Sequence, residues 1–455
     1  MKGIGKRLIC IAVMIALFGM LACVDSGAQP HVEATAVPTA EIAEVPQEDE
    51  ISIETKTEEP IVNTPIPTAV PTPEETPTPA PTDTPVPSPV TVTIGAVGDI
   101  MIPSGILSDA KTGNGEYDFS NLFAPFSELF RSVDLMCGNF ETPLGGKEAG
   151  FSQRKDKTGA LVFNAPDSVL DALKESGVDM LTTANNHCLD MGADALYRTI
   201  ETIRAKGFIQ TGTFLNAEDR EKPCIVELNG IRIGFVASTR NVNSGSAGRM
   251  RDEEKQTAIA YLLDGSKLHE AVFEDIRRVR EAGAEFVILF AHWDYENDNP
   301  TSDTTRQFAK QLLEAGADCI IGSHPHRIKD AEFVTVQRAD GPYTGLVLYS
   351  LGNFTANNTF EKMVGLFAKI TLEKDFVTGK VTLCDAAVLP TFSIRRGGDA
   401  PRFTVLPVYA DTSMINGLRS PLSDSEIRSI AKAREHALKR LGNREGIRIL
   451  DEPPD

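Results

Sequence analysis

Short apolar runs that end at polar residues are the feature that most constrains how this chain can fold. From about residue 91 to residue 330, runs rich in Val, Ile, Leu and Phe alternate with segments of helical periodicity that often end at glycine. This alternation predicts an α/β fold built from βα units around a mostly parallel sheet. After residue 331, four further β-rich runs follow without helices between them, at 332–337, 345–350, 364–372 and 381–388. They predict an antiparallel sheet beside or against the first.

Polar side chains follow the carboxyl ends of five of the predicted strands. The set is Asp99, Asn139 with Glu141, Asn186 with His187, His292, and His324 with His326. Ligands bind at this edge of open α/β sheets, and the set includes four of the seven histidines in the chain. Any one of these residues alone would most simply be a turn or loop residue held by local hydrogen bonds. Because five segments repeat the pattern, we predict one shared functional site.

The residue types in this set favour metal chemistry. Carboxylates, an amide oxygen and neutral imidazoles suit one or two borderline divalent ions such as Zn, Mn or Fe. Two ions could share Glu141 or Asp99, activate a water and stabilise a tetrahedral transition state. His187, beside the metal, could protonate a leaving group. The alternative is that the same groups bind a polyanion or form a proton network without metal.

Three other residues lie close to the pattern. Asn353 follows a strand in Gly-Asn-Phe and is interpreted as a turn residue, with orientation of a ligand histidine as the alternative. Trp293, the only tryptophan, could line the site, although core packing would explain it equally well. Arg240 also follows a strand and could contact an anion.

The first 22 residues have the layout of a secretory signal. Three basic residues precede an apolar stretch from Leu8 to Leu21, which is short for a transmembrane helix of about 20 residues. Met20-Leu-Ala-Cys23 resembles a bacterial lipobox, in which the cysteine becomes the lipidated first residue of the mature chain. We therefore predict a lipid anchor at Cys23 that holds the protein on the outer face of the cell membrane. Plain secretion and an uncleaved anchor are the alternatives.

Residues 23–90 are predicted to be a disordered linker. Half of the 28 prolines fall between residues 29 and 90, together with 12 acidic residues and one lysine. Repeated Thr-Pro favours polyproline II, and the segment has too few apolar residues for a core. Most of the net charge of −19 lies in this segment. The acidic composition argues against nucleic acid as a partner, because phosphate binding needs a basic patch.

The remaining sequence divides into a folded domain over residues 91–395 and a C-terminal extension over residues 396–455. The extension contains a predicted helix over residues 423–441, with Ser423 as its N-cap. The five cysteines after residue 90 form no Cys-x-x-Cys pair and lie in or beside apolar runs, so they are interpreted as buried small side chains.

Several motifs together resemble the CapA family of poly-γ-glutamate capsule biosynthesis proteins, within the calcineurin-like metallophosphatase superfamily. The resemblance covers about residues 92–390 and rests on these segments: Gly98-Asp-Ile-Met101, Asn139-Phe-Glu141, Ala184-Asn-Asn-His-Cys-Leu-Asp-Met-Gly192, His292-Trp293, Gly322-Ser-His-Pro-His326 and Tyr349-Ser-Leu-Gly-Asn-Phe354. It implies a metallophosphatase-like β-sandwich of mixed sheets flanked by helices.

The resemblance also implies roles for individual residues. Asp99 and His326 would hold one metal; Asn186, His292 and His324 would hold a second; Glu141 would bridge them; and His187, with Asn186, would be catalytic. Two departures stand out: the superfamily's Asp-x-His motif has Met101 in place of the histidine, and the family's His-Trp-Gly reads His292-Trp293-Asp294 here.

Two functions are compatible with these features. The first is a cell-surface lipoprotein of capsule synthesis with a metal-dependent hydrolase site, acting on a phosphoester or on an amide of an anionic polymer such as poly-γ-glutamate. The second is a non-catalytic factor that keeps the fold and binds the polymer or assembles the capsule machinery.

Overall fold

Strands from both halves of the sequence assemble into two sheets in the computed structural model, which describes residues 88–296, 299–397, 402–442 and 444–453. The predicted signal peptide, its lipobox and residues 23–87 of the predicted linker lie outside the described residues.

The first sheet is built around β1. Within the described residues it has nine strands: β1 (Val90–Ile100), β2 (Leu135–Phe140), β5 (Met180–Thr182), β6 (Ile209–Thr211), β15 (Asn353–Thr355), β16 (Val364–Asp375), β17 (Lys380–Arg396), β18 (Arg402–Pro407) and β19 (Arg448–Ile449). On one side of β1, strands β2, β5 and β6 run parallel to it, while on the other side β16, β17 and β18 form an antiparallel series.

The second sheet has a parallel centre. In the part of the chain that is described, its six strands are β7 (Cys224–Leu228), β8 (Ile231–Thr239), β11 (Phe286–His292), β12 (Cys319–Ser323), β13 (Ala331–Arg338) and β14 (Gly341–Leu348). Strands β8, β11, β12 and β14 are parallel, and β7 and β13 pair antiparallel at the two edges. Two short hairpins complete the β structure: β3 (Ser152–Lys155) with β4 (Leu161–Asn164), and β9 (Leu263–Asp264) with β10 (Lys267–Leu268).

The expectation of a separate antiparallel sheet after residue 331 was wrong. Strands β13 and β14 join the second sheet, whereas β16 and β17 join the first through β1. Likewise, the parallel strands before residue 330 are divided between the two sheets. Strand pairing between distant segments is set by the tertiary fold, and hydrophobic periodicity does not encode it.

Helices flank the two sheets, and apolar side chains fill the space between the sheets. The helices are α1 (Ser104–Ala110), α2 (Ser120–Phe123), α3 (Ser127–Arg131), α4 (Ser168–Ser176), α5 (Ala193–Ala205), α6 (Ala217–Arg220), α7 (Ser244–Ala247), α8 (Asp252–Ala258), α9 (Glu270–Glu281), α10 (Asp303–Glu314) and α11 (Asp424–Leu441). The largest core cluster contains residues of β1, such as Val92 and Ile94, together with residues of the second sheet, such as Ile233 and Phe290. A second cluster lies on the outer face of the second sheet, under α9 and α10. This is the helix-flanked sandwich of mixed sheets that the family resemblance implies.

The C-terminal segment is part of the same folded unit. Its predicted helix is observed as α11, and Ser423 forms a capping box with Glu426. Ile430, Ala433, Ala437 and Leu441 are buried at helical spacing in the main core cluster. Since β18 and β19 both pair with β17, residues after 396 extend the first sheet.

Two further observations concern the burial of the cysteines and the length of the apolar helices. Cys137, Cys188 and Cys319 are buried as expected, whereas Cys384 is exposed, and no disulfide joins the cysteines of the described residues. Among those residues, no helix is long and apolar enough to cross a membrane.

Gly98 allows the end of β1 to approach the chain before β15. A Cβ atom at this position would lie 1.9 Å from the carbonyl oxygen of Gly352, which accepts a hydrogen bond from Asp99 N at 3.1 Å. We expect Gly98→Ala to lower the free energy of unfolding by about 1–3 kcal/mol, because one of two backbone segments must move. Thermal or urea denaturation measures this. Gly113→Ala is the control, since nothing lies within 4 Å of a Cβ there; equal stability of the two variants would contradict the close approach.

Candidate metal centre

The polar residues predicted from the sequence converge where strand ends of the two sheets meet. Asp99 lies in β1 and Glu141 directly follows β2, both in the first sheet, while His292 ends β11 in the second sheet. His324 follows β12, and Asn186 lies in a turn after β5. The site is therefore formed by the carboxyl edges of two facing sheets, and not by the rim of one sheet as the sequence suggested.

Asp99 is fully buried and has polar partners at both oxygens. Its Oδ1 accepts a hydrogen bond from Asn139 Nδ2 at 2.7 Å, and its Oδ2 lies 3.1 Å from His326 Nδ1. Burial alone would raise the pKa of Asp99, but the hydrogen bond and charge of His326, with help from His292 and Asn139, hold this pKa well below its usual range. Asp99 is therefore a carboxylate at neutral pH.

Glu141 is fully buried, and neither of its side-chain oxygens has a hydrogen-bond partner. Burial raises the pKa of Glu141 well above its usual value, and the negative charges of Asp99 and Glu296 raise it further. Its Oε1 lies 3.5 Å from His292 Nε2 and 4.0 Å from His326 Nε2. Buried carboxylates normally have donors or cations around them. This orphaned carboxylate is what a bound cation would neutralise.

His292 is held in place through both of its ring nitrogens. Its Nδ1 lies 2.9 Å from Ser323 Oγ, while its Nε2 lies 2.9 Å from Asn186 Oδ1. Asn186 is itself fixed, because its Nδ2 donates to Asn243 Oδ1 at 3.0 Å. Burial, followed by repulsion from His324, lowers the pKa of His292 well below the usual value. A neutral imidazole is the form that binds a metal.

The turn 324–326 places two imidazoles at the site in an uncommon backbone conformation. His324 has φ 95° and His326 has φ 55°, values that side-chain-bearing residues rarely adopt. Such conformations concentrate at functional sites, where the surrounding structure maintains them. His324 Nδ1 is buried without a hydrogen-bond partner, and burial, together with the charge of His326, lowers the pKa of His324 to about 4.

Ligand atoms fall into two overlapping groups. One group consists of Glu141, His324 and His326, and the other of Asp99, Glu141 and His292; within each group the ligand atoms lie within 4.8 Å of one another. The donors fit divalent cations, since the shared carboxylate is unpaired and the imidazoles are neutral or hydrogen-bonded to acids. Distance thus pairs His324 with His326, whereas the family resemblance assigned these two residues to different metals.

His187 forms a pair with an acid that sequence reasoning did not select. Its Nδ1 lies 2.7 Å from Asp190 Oδ2, and both residues are buried. Asp190 also accepts hydrogen bonds from Phe163 N at 2.9 Å and Ser246 Oγ at 3.1 Å, so its position is fixed. The Phe163 ring packs edge-on against the imidazole at 4.8 Å. Asp190 therefore fixes the orientation of the His187 ring.

A cleft of about 200 Å³ opens over this site. His187, Asn186, His326 and Asn353 line it, and Lys362 is the single lysine or arginine among the described residues that line it. Lys362 Nζ lies 3.1 Å from Glu296 Oε2, which is 3.8 Å from His326 Nε2. The short turn at 360–362 that carries this lysine packs under α11, where Lys432 lies over the Phe360 ring at 4.4 Å.

Several site residues were missed or misjudged in the sequence. Asn353 Oδ1 lies 2.8 Å from His326 Nδ1, so this residue orients a histidine and is not only a turn residue. Trp293 is buried and donates to Tyr349 O, which supports the packing interpretation. Arg240 lies over the Tyr295 ring at 3.7 Å. The His187-x-x-Asp190 spacing could have revealed Asp190, whereas nothing in the sequence indicated Asn243.

Substitution of Glu141 tests the site's electrostatics. We expect Glu141→Gln to stabilise the metal-free protein at pH 8 by at least about 1 kcal/mol, because burial and nearby negative charges raise the pKa of Glu141 and so oppose folding at pH values above the usual pKa of a glutamate. The same change should abolish the increase in melting temperature that a divalent ion gives the wild type. Thermal melts in EDTA and in excess Mn²⁺ measure both effects, with the exposed Glu253→Gln as the control. A less stable variant in EDTA would show that Glu141 has favourable partners without metal.

Comparison with curated proteins identifies related capsule proteins. The chain is 27% identical over 266 residues to the capsule biosynthesis protein CapA of Bacillus anthracis, covering 58% of this chain and 59% of the relative. It is 28% identical over 260 residues to the PGA biosynthesis protein CapA of Bacillus subtilis (strain 168), covering 57% of this chain and 61% of the relative. The chain thus matches less than two thirds of either relative.

Solved structures give weaker likenesses. A phosphatase from Mycoplasma pneumoniae matches 66% of this chain and 93% of its own, with 15% identity and a TM-score of 0.36. The protein TT1561 of Thermus thermophilus matches 64% of this chain and 98% of its own, with 8% identity and a TM-score of 0.31. Likenesses at these TM-scores carry no functional inference.

The family assignment rests on a longer match. Residues 93–358, more than half of the chain, match the model of the family described as bacterial capsule synthesis protein PGA_cap. The matched range contains Asp99, Glu141, His187, His292 and the turn 324–326. This chain belongs to the PGA_cap family of bacterial capsule synthesis proteins.

Proposed function

We propose that this protein acts in the synthesis of an anionic capsule polymer as a metal-dependent hydrolase. The bond it cleaves would be a phosphoester or an amide of a polymer such as poly-γ-glutamate. The relatives' names place them in capsule or PGA biosynthesis, and the site supplies the chemistry. The observation that carries the proposal is the buried, unpartnered carboxylate of Glu141 between two groups of ligand atoms.

Metal ligation would use the residues with free or correctly oriented donor atoms. Asp99, Glu141, Asn186, His292, His324 and His326 would hold one or two divalent ions such as Mn, Zn or Fe. Ions of this kind polarise a substrate oxygen and stabilise negative charge in the transition state. Asn353 and Ser323 would fix the rings of His326 and His292 through their Nδ1 atoms.

Substrate binding and proton transfer would depend on residues next to the ligands. Lys362 Nζ would bind an anionic group of the substrate after exchanging its contact with Glu296. His187, oriented by Asp190, would donate a proton to the leaving group. The leaving group would then depart as a neutral alcohol or amine.

Location outside the cytoplasm is part of the proposal. It is supported by the signal-like residues 1–22, the Met20-Leu-Ala-Cys23 segment and the proline-rich residues 29–90. A lipid at Cys23 would hold the chain at the membrane surface. The polymer, and the capsule synthesis machinery that the chain would contact, would then lie on the same side of the membrane.

The competing proposal is a non-catalytic factor that binds the polymer or assists assembly. It is favoured by Met101, which stands where the superfamily's Asp-x-His motif has a histidine. The folded unit and the cleft would be the same in both cases. Only metal content and turnover separate the two.

His324→Ala tests the hydrolase. We expect the full-length wild type to retain divalent metal and to hydrolyse p-nitrophenyl phosphate, bis-p-nitrophenyl phosphate or poly-γ-glutamate. The variant should lose metal, and its kcat/KM should fall about a hundredfold or more, because metal ions contribute several kcal/mol of transition-state stabilisation. Elemental analysis and steady-state kinetics measure these quantities. His269→Ala, outside the site, is the control, and wild-type protein without metal or turnover would favour the assembly factor.

His187→Ala tests proton donation to the leaving group. We expect hydrolysis of phenyl phosphate to fall by about 10²–10⁴-fold, with a much smaller loss for p-nitrophenyl phosphate, whose leaving group needs little protonation. Metal content should not change. Asp190→Asn should show the same selectivity with a smaller loss, because the imidazole remains but loses its orienting charge. Equal losses with both esters would exclude the general-acid role.

A further inference from the structure

One wall of the cleft is a small hairpin, here called the cleft hairpin and defined as residues 152–164. It consists of β3 and β4 joined by the turn 156–160, and Gln153, Ala160, Leu161 and Phe163 line the cleft. It carries three exposed basic residues, Arg154, Lys155 and Lys157.

The base of the cleft hairpin is anchored to the catalytic region. Gln153 Oε1 accepts hydrogen bonds from the backbone N–H and the hydroxyl of Ser104, at 3.0 and 2.7 Å. Phe163 N donates to Asp190, the residue that orients His187. Asn164 bonds to the backbone of Gly145 and Gly146. The hairpin is therefore a fixed wall of the cleft.

Strand register places Lys155 on the face of the hairpin that lines the cleft. Gln153 pairs with Phe163 and Lys155 pairs with Leu161, while Arg154 pairs with the buried Val162 on the other face. Side chains alternate between the faces of a strand. Since Gln153, Leu161 and Phe163 all line the cleft, Lys155 extends that face outward. Arg154 Nη2 instead lies 3.7 Å from Met191 Sδ on the opposite face.

The tip of the hairpin leaves its lysines unneutralised. Asp156, the acid of the turn, accepts hydrogen bonds from Thr158 N, Thr158 Oγ1 and Ala160 N through Oδ1, and so stabilises the turn itself. Lys155 and Lys157 are exposed and form no ion pair within the described residues. Inside the cleft, Lys362 is already paired with Glu296. Within the described residues, the positive charges without an acidic partner at the tip of the hairpin are therefore those of Lys155 and Lys157.

Apolar surface accompanies this charge. Leu161, the cross-strand partner of Lys155, is 39% exposed. Met101, Pro103 and Ala356 also line the cleft. A polymer that alternates carboxylates with methylene segments is complementary both to the exposed lysines and to the apolar side chains, whereas a polyphosphate is complementary only to the lysines. Without local cations, a polyanion would be repelled by a protein whose net charge is −19.

We propose that the cleft hairpin is the docking surface for a linear polycarboxylate, with Lys155 and Lys157 binding successive carboxylates and Leu161 contacting the methylene segments between them. This inference rests on the proposed function, because it supplies the polymer to the same cleft. The polymer runs from the tip of the hairpin along its cleft face toward His187 and the metal centre. Arg154, on the other face, does not contribute a direct contact.

Binding of fluorescein-labelled poly-γ-glutamate to the full-length protein in detergent tests the proposal. At about 50 mM salt, we expect Lys155→Ala/Lys157→Ala to raise the Kd about tenfold or more, and the difference to shrink toward unity at about 1 M salt, where charge interactions are screened. Arg154→Ala, on the same hairpin, should change the Kd less than twofold. Arg277→Ala/Lys310→Ala, which removes two exposed basic residues on α9 and α10, should behave in the same way. Leu161→Ser should weaken binding at both salt concentrations.

The outcomes separate docking from catalysis. Binding that persists in His324→Ala and still depends on Lys155 and Lys157 supports docking even if the wild type hydrolyses nothing. Absence of wild-type binding, or equal losses in Arg154→Ala and in the lysine variant, overturns docking and leaves the hydrolase proposal to its own test. Polyphosphate that binds more tightly than poly-γ-glutamate through the same lysines overturns the polycarboxylate assignment.

Discussion

Two carboxylates, Asp99 and Glu141, lie buried side by side where the two sheets meet, and like charges in such surroundings need cations nearby. Asp99 has Asn139 and His326 as partners, whereas both oxygens of Glu141 are unpartnered. The strained turn at 324–326 and the hydrogen-bonded rings of His292 and His326 are arranged around this pair. A protein that only needed a stable core would have little use for this arrangement, since an apolar replacement would cost less free energy.

The surroundings of the carboxylate pair are organised in layers. Ser323 and Asn186 contact the two ring nitrogens of His292, Asn353 contacts His326, and Asp190 contacts His187, so that these three rings are held in place. Further out, α11 and the turn 360–362 support Lys362, and the cleft hairpin supports Asp190 through Phe163 N. The segments outside the edge where the polar residues converge thus contribute to the site through contacts that fix its geometry.

Much of the site was accessible from sequence because strand ends are easy to recognise. Asp99, Glu141, His292 and His324 each follow an apolar run, and the structure brings them together as expected. A second sheet was expected, but the strands after residue 331 were assigned to it as a group, whereas they are divided between the two sheets. Periodicity reports which face of a strand is buried but not which distant strand it pairs with, so this part of the fold lay outside what a single sequence can give.

Local sequence determined the elements, the capped helix at 424–441 and the residue types available for chemistry. Spacing within one turn could also have indicated the His187–Asp190 pair. Tertiary structure alone decided that Glu141 has no hydrogen-bond partner, that Asn243 reaches Asn186, and that Lys155 shares a face with Leu161 beside the cleft. The physical reason is that hydrogen bonding, burial and electrostatic potential depend on distances between atoms of segments far apart in the chain. Those distances are fixed only when the two sheets pack.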